Sequence, residues 1–224
     1  MKTVAQTAAS AIAGLLFFGA LLFGPAGTFD YWQAWVFIAV FLVTTLVPSS
    51  WLAVHDPAAL RRRMKAGPTA ETRPVQRFAM TGTVAVSVAV AVLSALDHRF
   101  GWSHVPVAVV VVGNLAVLGG LGVAELVVIQ NRYAAATVTV EAGQPVVSTG
   151  LYGVVRHPMY AGAMVMMAGM PLALGSYWGL LPMLAGVPIL VVRILDEEKL
   201  LVAELPGYGD YRQTVRFRLI PRLW

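Results

Sequence analysis

Val105-Pro-Val-Ala-Val-Val-Val-Val-Gly-Asn-Leu-Ala-Val-Leu-Gly-Gly-Leu-Gly-Val-Ala-Glu-Leu-Val-Val-Ile129 carries one charged side chain, Glu125, in an otherwise apolar run. About 20 such residues in a helix cross the hydrocarbon core of a bilayer, so this stretch predicts a transmembrane helix. Working outward, the same test selects residues 7–23, 31–54 and 78–96 before it, and 158–174 and 177–195 after it. That makes six spans, of which the first and fifth are short. Only Gly175 and Ser176 separate the last two, which predicts a tight helical hairpin.

The composition supports the same class. Hydrophobic residues are 58% of the 224-residue chain and charged residues 12%, about half the charge of a soluble domain. The mean hydropathy is +0.73. The expectation is one all-α integral membrane domain over residues 1–224, with no soluble domain and no internal repeat. The chain has no cysteine, which excludes disulfides, thiolate metal sites and a cysteine nucleophile. The net charge of +5 does not call for nucleic acid, because membrane proteins gather Lys and Arg in cytoplasmic loops.

The basic residues alternate with the spans. Lys2 precedes the first. Arg61, Arg62, Arg63, Lys65, Arg73 and Arg77 lie between the second and third, and Arg132 and Arg156 between the fourth and fifth. Arg193, Lys199, Arg212, Arg216, Arg218 and Arg222 mark the end of the sixth and the tail. The other side holds Arg99 alone, so 15 of 16 fall on one side. The positive-inside rule then places both termini in the cytoplasm of a multi-pass cell-membrane protein. A rival reading takes Lys2, the first apolar run and Gly24-Pro25-Ala26-Gly27 as a signal peptide. Arg61-Arg62-Arg63 reads most simply as a topology and head-group anchor.

The polar chemistry gathers late in the chain. Residues 131–155 form a loop in which Thr137-Val-Thr-Val-Glu141 alternates like a short extended segment. Gly150-Leu-Tyr-Gly-Val-Val-Arg-His-Pro-Met-Tyr-Ala-Gly162 leads into the fifth span, with Pro158 suited to its first turn. Asp196-Glu197-Glu198 follows the sixth span. The stretch from Asp196 to Leu205 reads as an amphipathic helix. Tyr208, Tyr211, Arg212 and residues 215–221 suit a segment lying on an anionic leaflet.

Gly150-x-Tyr152-x-x-x-Arg156-His157-Pro158-x-Tyr160-x-Gly162, an apolar hairpin, Glu197-Glu198 and Tyr208-x-x-Tyr211 together resemble the isoprenylcysteine carboxyl methyltransferase family. Membrane phospholipid methyltransferases share part of the pattern. The resemblance covers residues 134–221 and implies a methyltransferase-like catalytic region there. It implies S-adenosylmethionine as donor, bound at the cytoplasmic face. Donor contacts would come from Tyr152, His157, Pro158, Met159 and Tyr160, with Gln144, Pro145, Val146 and Val147 closing over them. Glu197 matches the acid that binds the donor, and Glu198 is the alternative. Arg193 matches an arginine facing the acceptor. The partners implied are membrane lipids and a lipophilic acceptor, a prenylcysteine-like carboxyl group being the best-known kind.

Elementary chemistry agrees. A carboxylate can hold the donor's ammonium, and aromatic faces favour a cation. Methyl transfer is a direct displacement that needs in-line placement and exclusion of water. A carboxylate acceptor needs no base; an amine does, and His157 is available. Arg193, His157 and Arg156 are therefore the candidate catalytic residues. Arg193 and Glu197 are four apart and share a helix face, so a salt bridge or a snorkelling arginine is the plainer reading of that pair.

Other features carry weaker signals. Glu125 within an apolar run implies a cavity or a charged partner. Gly119-Gly-Leu-Gly122 implies close helix packing. Met164, Met166, Met167 and Met170 suit bundle packing or an apolar substrate wall. His55, His98 and His104 have no metal-ligand spacing.

Overall fold

The computed structural model describes residues 2–64 and 66–224, with the side chains of its first helix described continuously from residue 12. Lys65, counted above among the basic residues, lies outside the described residues, as does the side chain of Lys2. The chain is all-α among the described residues. Its helices are α1 (Lys2–Ala26), α2 (Trp32–His55), α3 (Pro57–Met64), α4 (Pro74–Phe100), α5 (Val107–Gln130), α6 (Pro158–Ala173), α7 (Leu180–Glu204) and α8 (Tyr208–Thr214). Three of them, α2, α4 and α5, are long and apolar enough to cross a membrane. The apolar part of α1 (Ile12–Ala26) and all of α6 are shorter. α7 is long, but Arg193 and the acidic triplet interrupt its second half.

Large apolar side chains face outward along these helices, among them Val43, Val47, Leu115, Leu118 and Leu184. Water would reject so continuous an apolar exterior, whereas hydrocarbon accepts it. Inside, Leu22, Phe37, Val90, Val117, Met170 and Leu174 form the core, and Met166 and Met167 pack against it. An apolar crevice, about 760 Å³ with the open space at its mouth, lies between α1, α2, α4 and α6, walled by Phe18, Phe37, Met167 and Met170.

The expected α6–α7 hairpin opens instead. α6 lies along α5, α7 lies along α4, and α6 and α7 touch each other little. The reason is a pair of glycine seams. A Cβ on Gly120 would stand 2.4 Å from the Gly162 carbonyl oxygen, and one on Gly169 would stand 2.7 Å from the Gly113 carbonyl oxygen. Glycines seven apart on both helices thus let the backbones meet, the usual device where apolar burial gives helices no preference for one another over lipid. Gly119 and Gly122 meet nothing, so the packing expectation holds for Gly120 alone of that trio.

Two further features differ from the sequence reading. The stretch from Asp196 to Leu205 is not a separate amphipathic helix, because α7 runs unbroken through Glu204. The loop after α2 contains a helix, α3, whose first turn is capped by the Asp56 side chain accepting from the Ala59 N–H at 3.0 Å.

Candidate active site

The acidic triplet sits where α7 projects beyond its apolar part, which ends at Leu195. Successive helix residues point about 100° apart, so the three acids reach three different neighbours. Asp196 turns to α4. It accepts from Arg73 Nε and Nη2 at 2.9 and 2.6 Å and from Gln76 Nε2 at 2.8 Å. The hydrogen bond from Arg73 lowers its carboxyl below the ordinary value. Glu198 turns to the tail. It accepts from Arg156 Nε at 2.7 Å and Arg218 Nε at 2.9 Å, and His157 Nε2 lies 3.3 Å away. Burial opposes its charge, yet the hydrogen bonds from His157 and Arg156 hold its carboxyl down at about 2.

Glu197, between them, faces a cleft. Its Oε2 accepts from the Tyr160 hydroxyl at 2.6 Å, and its Oε1 lies 4.0 Å from His157 Nδ1. No arginine or lysine pairs with it among the described residues.

The segment before α6 is held by its own chemistry. Gly150 adopts φ +60 against the Gln130 side chain, whose Oε1 accepts from the Leu151 N–H at 3.0 Å. A Cβ there would strike Gln130 at 2.7 Å. A 3-10 turn (Gly150–Gly153) follows, and Pro158 opens α6. The Arg156 and His157 N–H groups donate to the Phe217 and Arg218 carbonyls, each at 2.9 Å. Arg156 Nη1 also donates to the Val215 and Arg216 carbonyls at 2.9 and 2.8 Å. Arg156 forms part of the cleft wall, but its guanidinium is engaged by Glu198 and the tail. Its contacts staple residues 215–218 to the start of α6.

The cleft spans about 800 Å³ when the open space at its mouth is included. Its walls include Gln144, Pro145, Val146, Val147, Tyr152, Arg156, His157, Pro158, Met159, Tyr160 and Glu197. The structure therefore brings together every residue anticipated at the donor site except Glu198, which lies behind the wall. Residues from three other places join them: Asn131 and the Tyr133–Thr139 loop, Leu201 of α7 with Leu205 just after it, and Tyr208 and Tyr211. Those two tyrosines are buried and do not lie on a leaflet.

The cleft is polar and aromatic. His157 stacks on Tyr160 with centroids 5.7 Å apart. Asn131 Nδ2 donates to the Tyr152 hydroxyl at 3.2 Å, and the Tyr211 hydroxyl donates to the Tyr152 carbonyl at 2.7 Å. Burial pushes the Tyr152, Tyr208 and Tyr211 phenols up, so they stay neutral. The Tyr208 hydroxyl is buried without a hydrogen-bond partner.

Arg193 does not line this cleft. It is buried beneath Tyr160, whose hydroxyl accepts from its Nε at 2.9 Å. Its Nη2 donates to Glu71 Oε1 and to the Ala136 carbonyl, both at 2.8 Å. Nη1 is buried and unpartnered. Two parallel hydrogen bonds to an acceptor carboxylate are thus unavailable, because Glu71 already holds one arm of the guanidinium. Nothing in the sequence alone singled out Glu71.

Other charged side chains find partners in α3. Glu125 makes a two-armed ion pair with Arg63, the Nη2–Oε1 contact being 2.6 Å, and does not line the cleft. Arg62 donates to Glu141 at 2.9 Å and to the Arg132 carbonyl at 3.2 Å. Both arginines fasten the protein to itself, which corrects the simple head-group reading of this cluster. Arg61 is exposed. Among the described residues no cluster of three His, Asp or Glu could hold a metal ion.

No curated protein matches the chain. Residues 108–207 match the model of the phospholipid methyltransferase family. The match runs from the first turn of α5 through α6 and α7 to the start of α8, and it encloses the Arg-His-Pro segment, Arg193 and the acidic triplet. Over this region the chain is similar to the membrane phospholipid methyltransferases, to which the isoprenylcysteine carboxyl methyltransferases are related.

Proposed function

We propose that this protein is an integral membrane methyltransferase that takes S-adenosylmethionine from the cytoplasm and an amphipathic acceptor from the membrane. The observation that carries the reading is Glu197. It is a carboxylate without an arginine or lysine partner among the described residues, facing a cleft walled by tyrosines. A charged group left in that position suits a ligand ammonium, and the stacked His157–Tyr160 pair offers an aromatic face for positive charge. The unpartnered Tyr208 hydroxyl is a further group for a ligand to satisfy. The residues present fit the donor: Glu197 for its ammonium, Tyr152 and Tyr160 beside its cationic sulfur, and Gln144 to Val147 as a wall that excludes water.

When bound, S-adenosylmethionine supplies a methyl group on a sulfonium, and the acceptor's lone pair takes that carbon as the carbon–sulfur bond breaks and its electrons stay on sulfur. The protein's own part is placement. With its proton on Nε2, directed at Glu198, His157 keeps a lone pair on Nδ1 on the Glu197 side. That nitrogen can receive a proton from an amine acceptor. A prenylcysteine-like carboxylate would need no base. The occupied Arg193 guanidinium and the phospholipid methyltransferase match favour the amine of a phospholipid over the carboxylate.

Topology is part of the proposal: six spans, with the cleft and both termini cytoplasmic, since 15 of 16 basic residues then face inward. The test is to incubate purified protein with methyl-labelled donor and a lipid extract and to identify the labelled product. A labelled amine lipid supports the reading. Absence of any labelled lipid, with no binding of S-adenosylhomocysteine, overturns it.

A further inference from the structure

Glu71 lies in the connector between α3 and α4, outside the matched region 108–207. It is 2% exposed. Such a carboxylate is costly to bury and persists where it has partners. Glu71 has them on both oxygens. Oε1 accepts from Arg193 Nη2 at 2.8 Å, and Oε2 accepts from the Val138 N–H at 3.2 Å. Arg193 Nη2 also donates to the Ala136 carbonyl at 2.8 Å. Glu71 and Arg193 together therefore clasp residues 136–138, which belong to the loop walling the cleft.

The chain of contacts continues. Arg193 Nε donates to the Tyr160 hydroxyl, and that hydroxyl donates to Glu197. Four side chains from the connector, α6 and α7 thus form one line from the buried carboxylate of Glu71 to the open carboxylate of Glu197. Glu71 balances the charge of Arg193, so a carboxylate brought to that arginine would leave a buried negative charge unpaired.

We propose that Glu71 is a positioning residue for methyl transfer. It fixes the Arg193 guanidinium beneath the Tyr160 hydroxyl, and it holds the loop that walls the cleft. This rests on the reading of the cleft as a methyl-donor site.

The test uses the full chain in phosphatidylethanolamine nanodiscs, with Glu71→Gln, Glu71→Asp, Arg193→Met and the double variant Glu71→Gln/Arg193→Met. Methyl transfer is read at saturating donor with two acceptor probes, phosphatidylethanolamine and N-acetyl farnesylcysteine. Misplacing a positioned group by about 1 Å costs up to about 100-fold in rate, so Glu71→Gln should lose about 10–100-fold in kcat. Its S-adenosylhomocysteine affinity should stay within about threefold, the pattern of an interaction made in the transition state. Glu71→Asp should recover part of the rate. Adding Glu71→Gln to Arg193→Met should change nothing further. Hydrogen exchange at residues 136–138 carries the same four-way comparison if neither probe is methylated.

If Glu71→Gln does not fold, the double variant removes the stranded charge and is compared with Arg193→Met alone. Independent, additive losses would overturn the proposal, as would a Glu71→Gln enzyme with unchanged kcat. Failure of the wild-type protein to bind S-adenosylhomocysteine would instead overturn the donor-site reading, whatever the coupling between Glu71 and Arg193.

Discussion

Asp97 and Glu197 sit at opposite ends of the bundle, each without an arginine or lysine partner among the described residues. Asp97 is 1% exposed. It accepts from the Ser103 N–H at 2.7 Å, the Ser103 hydroxyl at 2.6 Å and the Ser176 hydroxyl at 2.5 Å. These three donors join the end of α4, the loop after it and the turn between α6 and α7. Glu197 has one donor, the Tyr160 hydroxyl, and opens on a cleft. The first carboxylate is saturated by the protein and works as a latch. The second is left with capacity to bind. A buried acid marks a ligand site by its unfilled hydrogen bonds, not by its burial.

Breaking the neighbour of Glu197 should give the largest effect. Glu198→Ala strands the Arg156 and Arg218 guanidiniums, and removing one partner of a buried pair costs about 3–5 kcal/mol. Residues 215–224 should become open to protease, and thermal unfolding should shift down. Acid should act the same way. Because Glu198 is held at about 2 when folded, against an ordinary 4.5, its stabilisation is present above the ordinary value. It is lost as pH falls from there through about 2, where the folded group also takes up its proton. An unfolding midpoint that ignores pH across that window in wild type would contradict this.

Asp97→Ala comes next. It leaves the Ser103 and Ser176 donors without their acceptor, at about 1–3 kcal/mol. The melting point should drop while S-adenosylhomocysteine affinity stays unchanged. A loss of affinity would erase the distinction between latch and site.

The glycine seams come last, because only one of two neighbouring glycines should respond. Gly120→Ala overpacks against the Gly162 carbonyl and should cost about 1–3 kcal/mol. Gly119→Ala, one residue away, meets open space and should be nearly neutral. Equal melting points for the two variants would remove the seam as the reason α6 leaves α7 for α5.

Much of the fold was legible because lipid imposes a length and an apolar composition on each helix. The runs in α2, α4 and α5 could be read directly. The pairing of α6 with α5 was not legible, since Gly113, Gly120, Gly162 and Gly169 become a seam only once two helices are set side by side. α3 was readable but missed: Asp56 followed by Pro57 is a capping residue and a first-turn proline. At the site, the Arg-His-Pro segment and Glu197 stood out through a spaced motif. Glu71 did not, because an isolated acid in a connector has no pattern, and its importance lies in being folded onto Arg193. The direction of each acid in Asp196-Glu197-Glu198 followed from helical rotation, but which neighbour stood at each azimuth required the structure.

The central claim is that Glu197 receives the methyl donor. Calorimetric titration of S-adenosylhomocysteine into purified wild type, Glu197→Gln and Asp97→Asn tests it most directly. Wild type should bind, Asp97→Asn should bind equally well, and Glu197→Gln should lose about 1.5–3 kcal/mol of a charge-assisted hydrogen bond, roughly 10–100-fold in affinity. Undiminished binding by Glu197→Gln, or no binding by wild type, would contradict the account.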